Sequence, residues 1–278
     1  MGSGRSMGIP LSHGAGRTAL ITGASAGIGE AFAEVFAAEG FNVVLTARRE
    51  DRLRAVAARL ENRFRVKTDV VPADLSEPDA PAWLWHSLEE RGLVIDALVN
   101  NAGYGIPGAF VASDWPRHAA LLQVMVVALA ELTHRALPGM IARGYGRIIN
   151  VASLAALVPA PAGHTLYAAT KAFAVKFSES LAGEVRASGV HVTALCPGFT
   201  RSEFHDVTGT RAKVEQLPPW MWLDAPTVAR AGFDAAAAGT AVFVVGRVNR
   251  AIALLARMLP RRLLVAIGRG AAHRYRKS

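Results

Sequence analysis

The stretch Thr22-Gly23-Ala24-Ser25-Ala26-Gly27-Ile28-Gly29 restricts the fold of this chain more than any other. It follows the apolar run 17–22 (RTALIT) and opens the run IGEAFAEVFAAEG. There Ile28, Ala31, Phe32, Val35 and Phe36 recur at helical spacing up to Gly40. Glycines at 23, 27 and 29 permit a tight turn, close approach of a pyrophosphate, and close packing of helix on strand. The helix N-terminus aims unbonded N–H groups at such an anion. A glycine string alone is weak evidence, but a strand before it and a helix after it are the context the motif requires. Taken singly, the stretch could still be an ordinary strand-to-helix turn.

The remaining pattern repeats this alternation. Strands are expected at 41–47, 65–73, 95–103, 146–153, 189–196 and 241–246. Helices are expected at 50–62, 79–92, 115–143, 165–188 and about 225–238. The strands are near-continuous runs of Val, Ile, Leu and Ala, as when both sheet faces are buried. Right-handed crossovers then give an α/β, doubly wound parallel sheet, the Rossmann fold, in three layers α/β/α. Residues 1–16 are expected to form a flexible lead, 17–246 the domain, and 247–278 a basic amphipathic extension. The irregular stretch 199–224 is long for a connection and is expected to be a mobile substrate lid.

With 51% hydrophobic residues among 278, the chain can build one large core. The single cysteine, Cys196, excludes an internal disulfide; it ends an apolar run and reads as a buried packing thiol in a reducing compartment. The N-terminus lacks the apolar segment of a secretory signal, and no uninterrupted apolar run is long enough to span a bilayer. Met1-Gly2 with Ser6 fits the bare myristoylation pattern, against which stands an expression scar ahead of Met7 or a disordered lead. A cytoplasmic location is expected. Residues 240–278 hold basic residues from Arg247 to Lys277 and no acid, an excess equal to the whole net charge of +9. They interleave with Leu, Ile and Val, which favours a membrane surface over nucleic acid. For residues 247–262 an extension packed on the body or on a neighbouring subunit is expected ahead of membrane contact, and folding over the substrate mouth is a further alternative.

Gly23-x-x-x-Gly27-x-Gly29, Asn100-Asn101-Ala102-Gly103 and Tyr167-x-x-x-Lys171 occur in that order, and together they resemble the short-chain dehydrogenase/reductase family over about residues 17–246. The resemblance implies hydride transfer between a nicotinamide cofactor and a carbonyl or alcohol, in a homodimer or homotetramer built through the long helices 115–143 and 165–188. It makes Tyr167 the general acid in reduction and the base in oxidation, with Ser153 orienting the substrate carbonyl and Lys171 also bonding the nicotinamide ribose. It places Gly23, Ser25, Gly27, Ile28 and Gly29 at the cofactor phosphates. Asp74, Leu75, Asn101, Ala102 and Gly103 fall on the adenosine side, with Asn100 similarly placed. Pro197, Gly198 and Thr200 fall at the nicotinamide. No metal site is implied.

Physical chemistry adds to this. Residues four apart on a helix share a face. A lysine cation one turn from Tyr167, with the positive oxidised nicotinamide, is expected to lower a phenol pKa of about 10. Taken singly, Tyr167 and Lys171 would be an exposed helix pair and Ser153 a turn residue. One position departs from the family pattern: Met125 stands where an asparagine of the proton relay is usual. A thioether is only a weak acceptor, and Gln123, two residues away, faces elsewhere. An altered relay is expected, or slow or lost activity. Position 47, usually acidic in NAD enzymes, is Ala, and Arg48 follows; its planar fork suits a 2′-phosphate, so NADP(H) is expected. Against this, Arg48 and Arg49 could be solvated charges, and Glu50 lies close. Phe199, Phe204, Leu217, Trp220, Met221, Trp222 and Leu223 make the lid apolar, which suits a small-molecule lipid, steroid or aromatic ketone or alcohol; these side chains could instead pin the lid to the body. A second reading is an NADP(H)-binding protein with weak or no catalysis, acting as a redox sensor or membrane-surface partner.

Overall fold

The computed structural model describes residues 13–160, 162–204, 209, 211 and 215–259. The N-terminal lead up to residue 12, with its myristoylation pattern, part of the lid, and the tail from 260 lie outside the described residues.

Seven parallel strands form one sheet: β1 (Thr18–Thr22), β2 (Asn42–Thr46), β3 (Thr68–Val70), β4 (Ala97–Asn100), β5 (Gly146–Val151), β6 (Val190–Cys196) and β9 (Val242–Val244). Their order is β3-β2-β1-β4-β5-β6-β9, so the winding reverses between β1 and β4. Doubly wound sheets open their ligand crevice at such a point. The helices are α1 (Gly27–Ala38), α2 (Glu50–Phe64), α3 (Ala80–Glu90), α4 (Trp115–Ala142), α5 (Thr165–Glu184), α6 (Ala225–Ala237) and α7 (Arg247–Met258).

Strand alternation divides the core. Ala19, Ile21, Val43, Leu45 and Val99 pack under α1, α2 and α6, with Phe32, Phe36 and Phe233 filling that side. Leu20, Val44, Leu98, Ile148 and Val192 face the other way onto α3, α4 and α5. Period-two geometry sends neighbouring side chains to opposite faces, so apolar residues on both faces require helices on both.

Several bounds differ from the sequence reading. The strands are shorter, because residues such as those of 65–67 and 71–73 lie beyond the last paired position. α5 stops at Glu184, and a short 3-10 turn, Arg186–Ser188, leads to Gly189 at φ 73°. α4 contains a π turn over Gln123–Val127. At 28 residues and mean hydropathy 1.4, α4 is long and apolar enough to cross a membrane, which the sequence reading did not expect. However, Leu121, Met125, Ala128, Leu132 and Met140 on it are core residues, and Glu131 pairs with Arg135 at 2.8 Å. α4 is therefore a core helix.

Within the core, Asn100 Nδ2 donates to Asn150 Oδ1 (2.9 Å) and Thr133 Oγ1 (3.0 Å), and Asn150 Nδ2 donates to Ser178 Oγ (2.9 Å). This buried network ties β4 and β5 to α4 and α5, and leaving one member unpaired would cost its desolvation. The Asn100 side chain thus points into the core rather than to the adenosine side.

Candidate functional site

The Gly-rich turn is held from both ends. Thr22 Oγ1 donates to the Val99 carbonyl (3.2 Å) and accepts from the N–H groups of Asn101 (2.9 Å) and Ala102 (3.0 Å). Asn101 Nδ2 donates to the carbonyls of Thr22 (3.0 Å) and Gly23 (3.3 Å). Asn101 therefore positions the turn through its amide. A side chain at Gly29 would overlap the Gly23 carbonyl oxygen and the Asn101 amide. One at Gly23, whose φ is +67°, would come within 2.8 Å of that amide. Ala26, which precedes α1, makes no side-chain cap, so the first-turn N–H groups of α1 lack a side-chain acceptor among the described residues. A dipole end with bare donors over a glycine floor fits a pyrophosphate.

The residues expected on the adenosine side fall into two groups. Asp74 Oδ1 accepts from Ser76 N (3.0 Å) and Oγ (2.7 Å), and Leu75 is buried beside it. Tyr104 lies close: burial raises its pKa, Arg48 and Arg117 lower it, and Asp74 raises it. Arg49, by contrast, donates through Nε and Nη2 to Ser25 Oγ at 3.3 and 3.0 Å. Arg48 thus lies near Tyr104 and Arg49 on the Gly-rich turn, and Glu50 is held by Arg54 on α2.

The reactive end is carried by α5 and the loop after β5. Lys171 Nζ is buried and donates to the Val151 carbonyl at 2.6 Å, 5.8 Å from the centre of the Tyr167 ring. Burial lowers its pKa to about 8. Ser153 caps the 3-10 turn Leu154–Ala156, accepting from Ala155 N at 3.1 Å, and its hydroxyl faces the Tyr167 phenol closely enough to lower its pKa. The lowering expected for the phenol combined Lys171 with a positive nicotinamide. In the protein itself burial raises the Tyr167 pKa, and only the Ser153 bond lowers it. Lys171, whose ammonium is bonded to the Val151 carbonyl, is not among the causes of that shift. Cys196 lies near Lys171 and the Ser153 backbone, and burial pushes its thiol up to about 12, as befits a packing residue.

Met125 sits in the π turn, buried, beside Gly103; its Sδ accepts weakly from Thr170 Oγ1 at 3.9 Å. π turns recur at functional sites. Gln123 Nε2 is buried with no hydrogen-bond partner among the described residues and does not stand in for an asparagine. Ile106, Phe110, Leu121 and Leu166, with His118 and Thr165 among them, line a small cavity next to Tyr167.

Past β6, Leu154 N donates to the Pro197 carbonyl (2.8 Å), and Thr200 Oγ1 donates to that of Gly198 (3.1 Å). A parallel pair, β7 (Thr200–Arg201) and β8 (Leu223–Asp224), closes the base of the lid. Phe199 and Trp222 pack with ring centres 6.0 Å apart, and Phe204 lies 5.6 Å from the Tyr167 ring, whereas Trp220 is exposed. The lid's aromatics thus divide between bracing it and facing the reactive tyrosine.

The family model of short chain dehydrogenases matches residues 17–212. The chain belongs to the short-chain dehydrogenase family. This short-chain dehydrogenase is an oxidoreductase acting on carbonyl or alcohol groups with a nicotinamide cofactor. It is 38% identical over 201 residues to nodulation protein G of Rhizobium sp. (strain N33), covering 71% of this chain and 79% of that one. It is 34% identical over 208 residues to the human very-long-chain 3-oxoacyl-CoA reductase, covering 73% of this chain but 64% of the reductase. The fungal counterpart from Laccaria bicolor is matched over 59% of its length, so this chain spans under two thirds of both reductases. Among solved structures, a short-chain dehydrogenase from Sphingobium yanoikuyae in complex with NADPH superposes with TM-score 0.77 at 34% identity, covering 86% of this chain and 91% of that one. The bulky-bulky ketone specific alcohol dehydrogenase of Comamonas testosteroni gives 0.72 at 30%, covering 88% and 95%.

Three residues around this site escaped the sequence reading. Arg49 reaches Ser25, Glu203 reaches Arg49, and Asn249 of α7 packs on Gly198 while donating to the Val245 carbonyl at 2.8 Å. The pairing of Arg49 with Glu203 spans 154 residues, beyond any local signal.

Proposed function

We propose that this protein is an NADP(H)-dependent oxidoreductase of apolar ketones or secondary alcohols, with Tyr167 as its general acid and base. The observation that carries it is the convergence of Ser153, Tyr167 and Lys171 past the end of β5, beside a largely apolar lining. The nicotinamide supplies or accepts the hydride. The turn at Gly23, Gly27, Ile28 and Gly29 and the α1 N-terminus bind the pyrophosphate. Ser25 with Arg48 and Arg49 binds the 2′-phosphate. Asp74, Leu75, Ala102 and Gly103 border the adenosine, with Asn101 fixing the turn. Pro197, Gly198 and Thr200 border the nicotinamide. In reduction the Tyr167 phenol donates its proton to the substrate oxygen while the Ser153 hydroxyl donates a hydrogen bond to it; in oxidation Tyr167 takes the proton back. A phenol that burial keeps protonated is suited to the acid role, Ser153 eases loss of its proton, and Lys171 holds the ribose. With Met125 at the relay position, the proton reaches solvent by a route that does not use an asparagine amide. An acid-free end to β2, with Glu50 turned to Arg54, supports NADP(H) over NAD(H).

The extension presents a further surface. On α7, Asn249, Ile252, Ala253 and Ala256 turn toward the body; Val248, Leu254, Leu255 and Met258 are exposed beside Arg247, Arg250 and Arg257. That arrangement supports contact with an anionic membrane surface.

The reading is tested by titrating the protein with NADPH and with NADH by nucleotide fluorescence, then assaying bulky ketones with Tyr167→Phe alongside. The expected result is a marked preference for NADPH, and a variant that binds NADPH normally but turns over at least about a hundredfold more slowly. Retained turnover would remove Tyr167 from proton transfer, and failure to bind either nucleotide would overturn the function itself.

A further inference from the structure

The lid brings one carboxylate onto the arginines beside the Gly-rich turn. Glu203 Oε2 accepts from Arg49 Nη1 at 3.0 Å, and its other oxygen accepts from Arg52 on α2. The same Arg49 guanidinium holds Ser25 Oγ, so it joins the Gly-rich turn to the lid. On either side of Glu203 the lid makes two more contacts with the site. Ser202 lies against Gly27, where an added side chain would come within 2.9 Å of it, and Phe204 lies against Tyr167. The side chains of Arg49 and Glu203 are each 42% exposed, so the pair can exchange partners without unfolding anything. The two arginines hold the Glu203 carboxyl below its ordinary pKa, so it is charged at neutral pH.

We propose that Glu203 is a specificity-determining residue that competes with the cofactor's 2′-phosphate for Arg49. This rests on the nucleotide site proposed above and goes beyond it by assigning that site an internal rival. A carboxylate and a phosphate within reach of one guanidinium repel each other. The phosphate, with more charge and more acceptor oxygens, takes the planar fork. NADP(H) therefore takes Arg49 from Glu203, leaves it Arg52 alone, and loosens the lid segment 199–204 beside Tyr167. NAD(H), which carries no 2′-phosphate, leaves Glu203 on Arg49 and Arg52. Glu203 thus lowers the affinity for NADP(H) selectively and couples cofactor identity to lid position.

The test compares wild type with Glu203→Gln, an exposed and nearly isosteric change. NADPH and NADH are titrated by nucleotide fluorescence, and hydrogen exchange of segment 199–204 is followed with adenosine 2′,5′-bisphosphate or 5′-AMP. The variant is expected to bind NADPH about two- to fivefold more tightly, the scale of exposed ion pairs, with NADH nearly unchanged. The gain should shrink at high salt. In wild type the 2′,5′-bisphosphate should speed exchange in 199–204, and 5′-AMP should not. An unchanged or equal response to the two dinucleotides, with both binding, would overturn the competition and leave the nucleotide site standing. Binding of neither dinucleotide to wild type would instead bring down the proposed function, and this inference with it.

Discussion

Lys171 shows what a single residue costs and supplies at this site. Its ammonium is buried with one backbone carbonyl as partner, and its proton leaves near pH 8 in the folded protein against 10.5 for an ordinary lysine. Between those values the unfolded chain binds more protons than the folded one, so this group makes stability rise with pH across that window; below about pH 8 its burial is a net cost. Lys171→Met is therefore expected to be more stable than wild type at pH 7, to lose that advantage between about pH 8 and 10, and to lose turnover at every pH. Urea unfolding of both proteins across that range measures it. A variant less stable than wild type at pH 7 would mean that the Val151 bond outweighs desolvation. Function that works against stability is common where a charge must be buried.

At the scale of the element, the Gly-rich turn and its partner strand end act as one piece. Gly29 is closed in by the Gly23 carbonyl and the Asn101 amide, and Asn101 in turn holds the turn's carbonyls. Gly29→Ala must push α1 off β1. The expected loss is about 1–3 kcal/mol, the usual cost of overpacking, together with a loss of nucleotide binding much larger than the loss of stability. Thermal unfolding and fluorescence titration on the same sample separate the two. Equal stability and equal affinity would show that the turn relaxes freely.

The whole molecule divides into a balanced body and a basic end. α7 is anchored through Asn249 against Gly198 and bears an exposed apolar stripe edged with arginines. Full-length protein is expected to sediment with vesicles containing anionic lipid, while a version ending at Gly246 stays in the supernatant; equal recovery of both would sink the membrane reading. Some loss of activity is also expected on truncation, because Asn249 braces the loop bearing Thr200.

Much of this was legible along the chain. Alternating strand and helix patterns, the turn from Gly23 to Gly29, and the spacing of Tyr167 and Lys171 are local features, and local propensity and periodicity are enough to read them. The doubly wound sheet follows because apolar strands of this kind need cover on both faces. What could not be read locally depends on distant segments meeting. Asn100 belongs to the core because Asn150 and Thr133 reach it. The Tyr167 pKa rises because burial, a property of the assembled fold, outweighs the lowering by Ser153. Arg49 meets Glu203 only once the lid folds back over the first turn. Helix spacing shows which side chains share a face, whereas desolvation and long-range partners are set by packing.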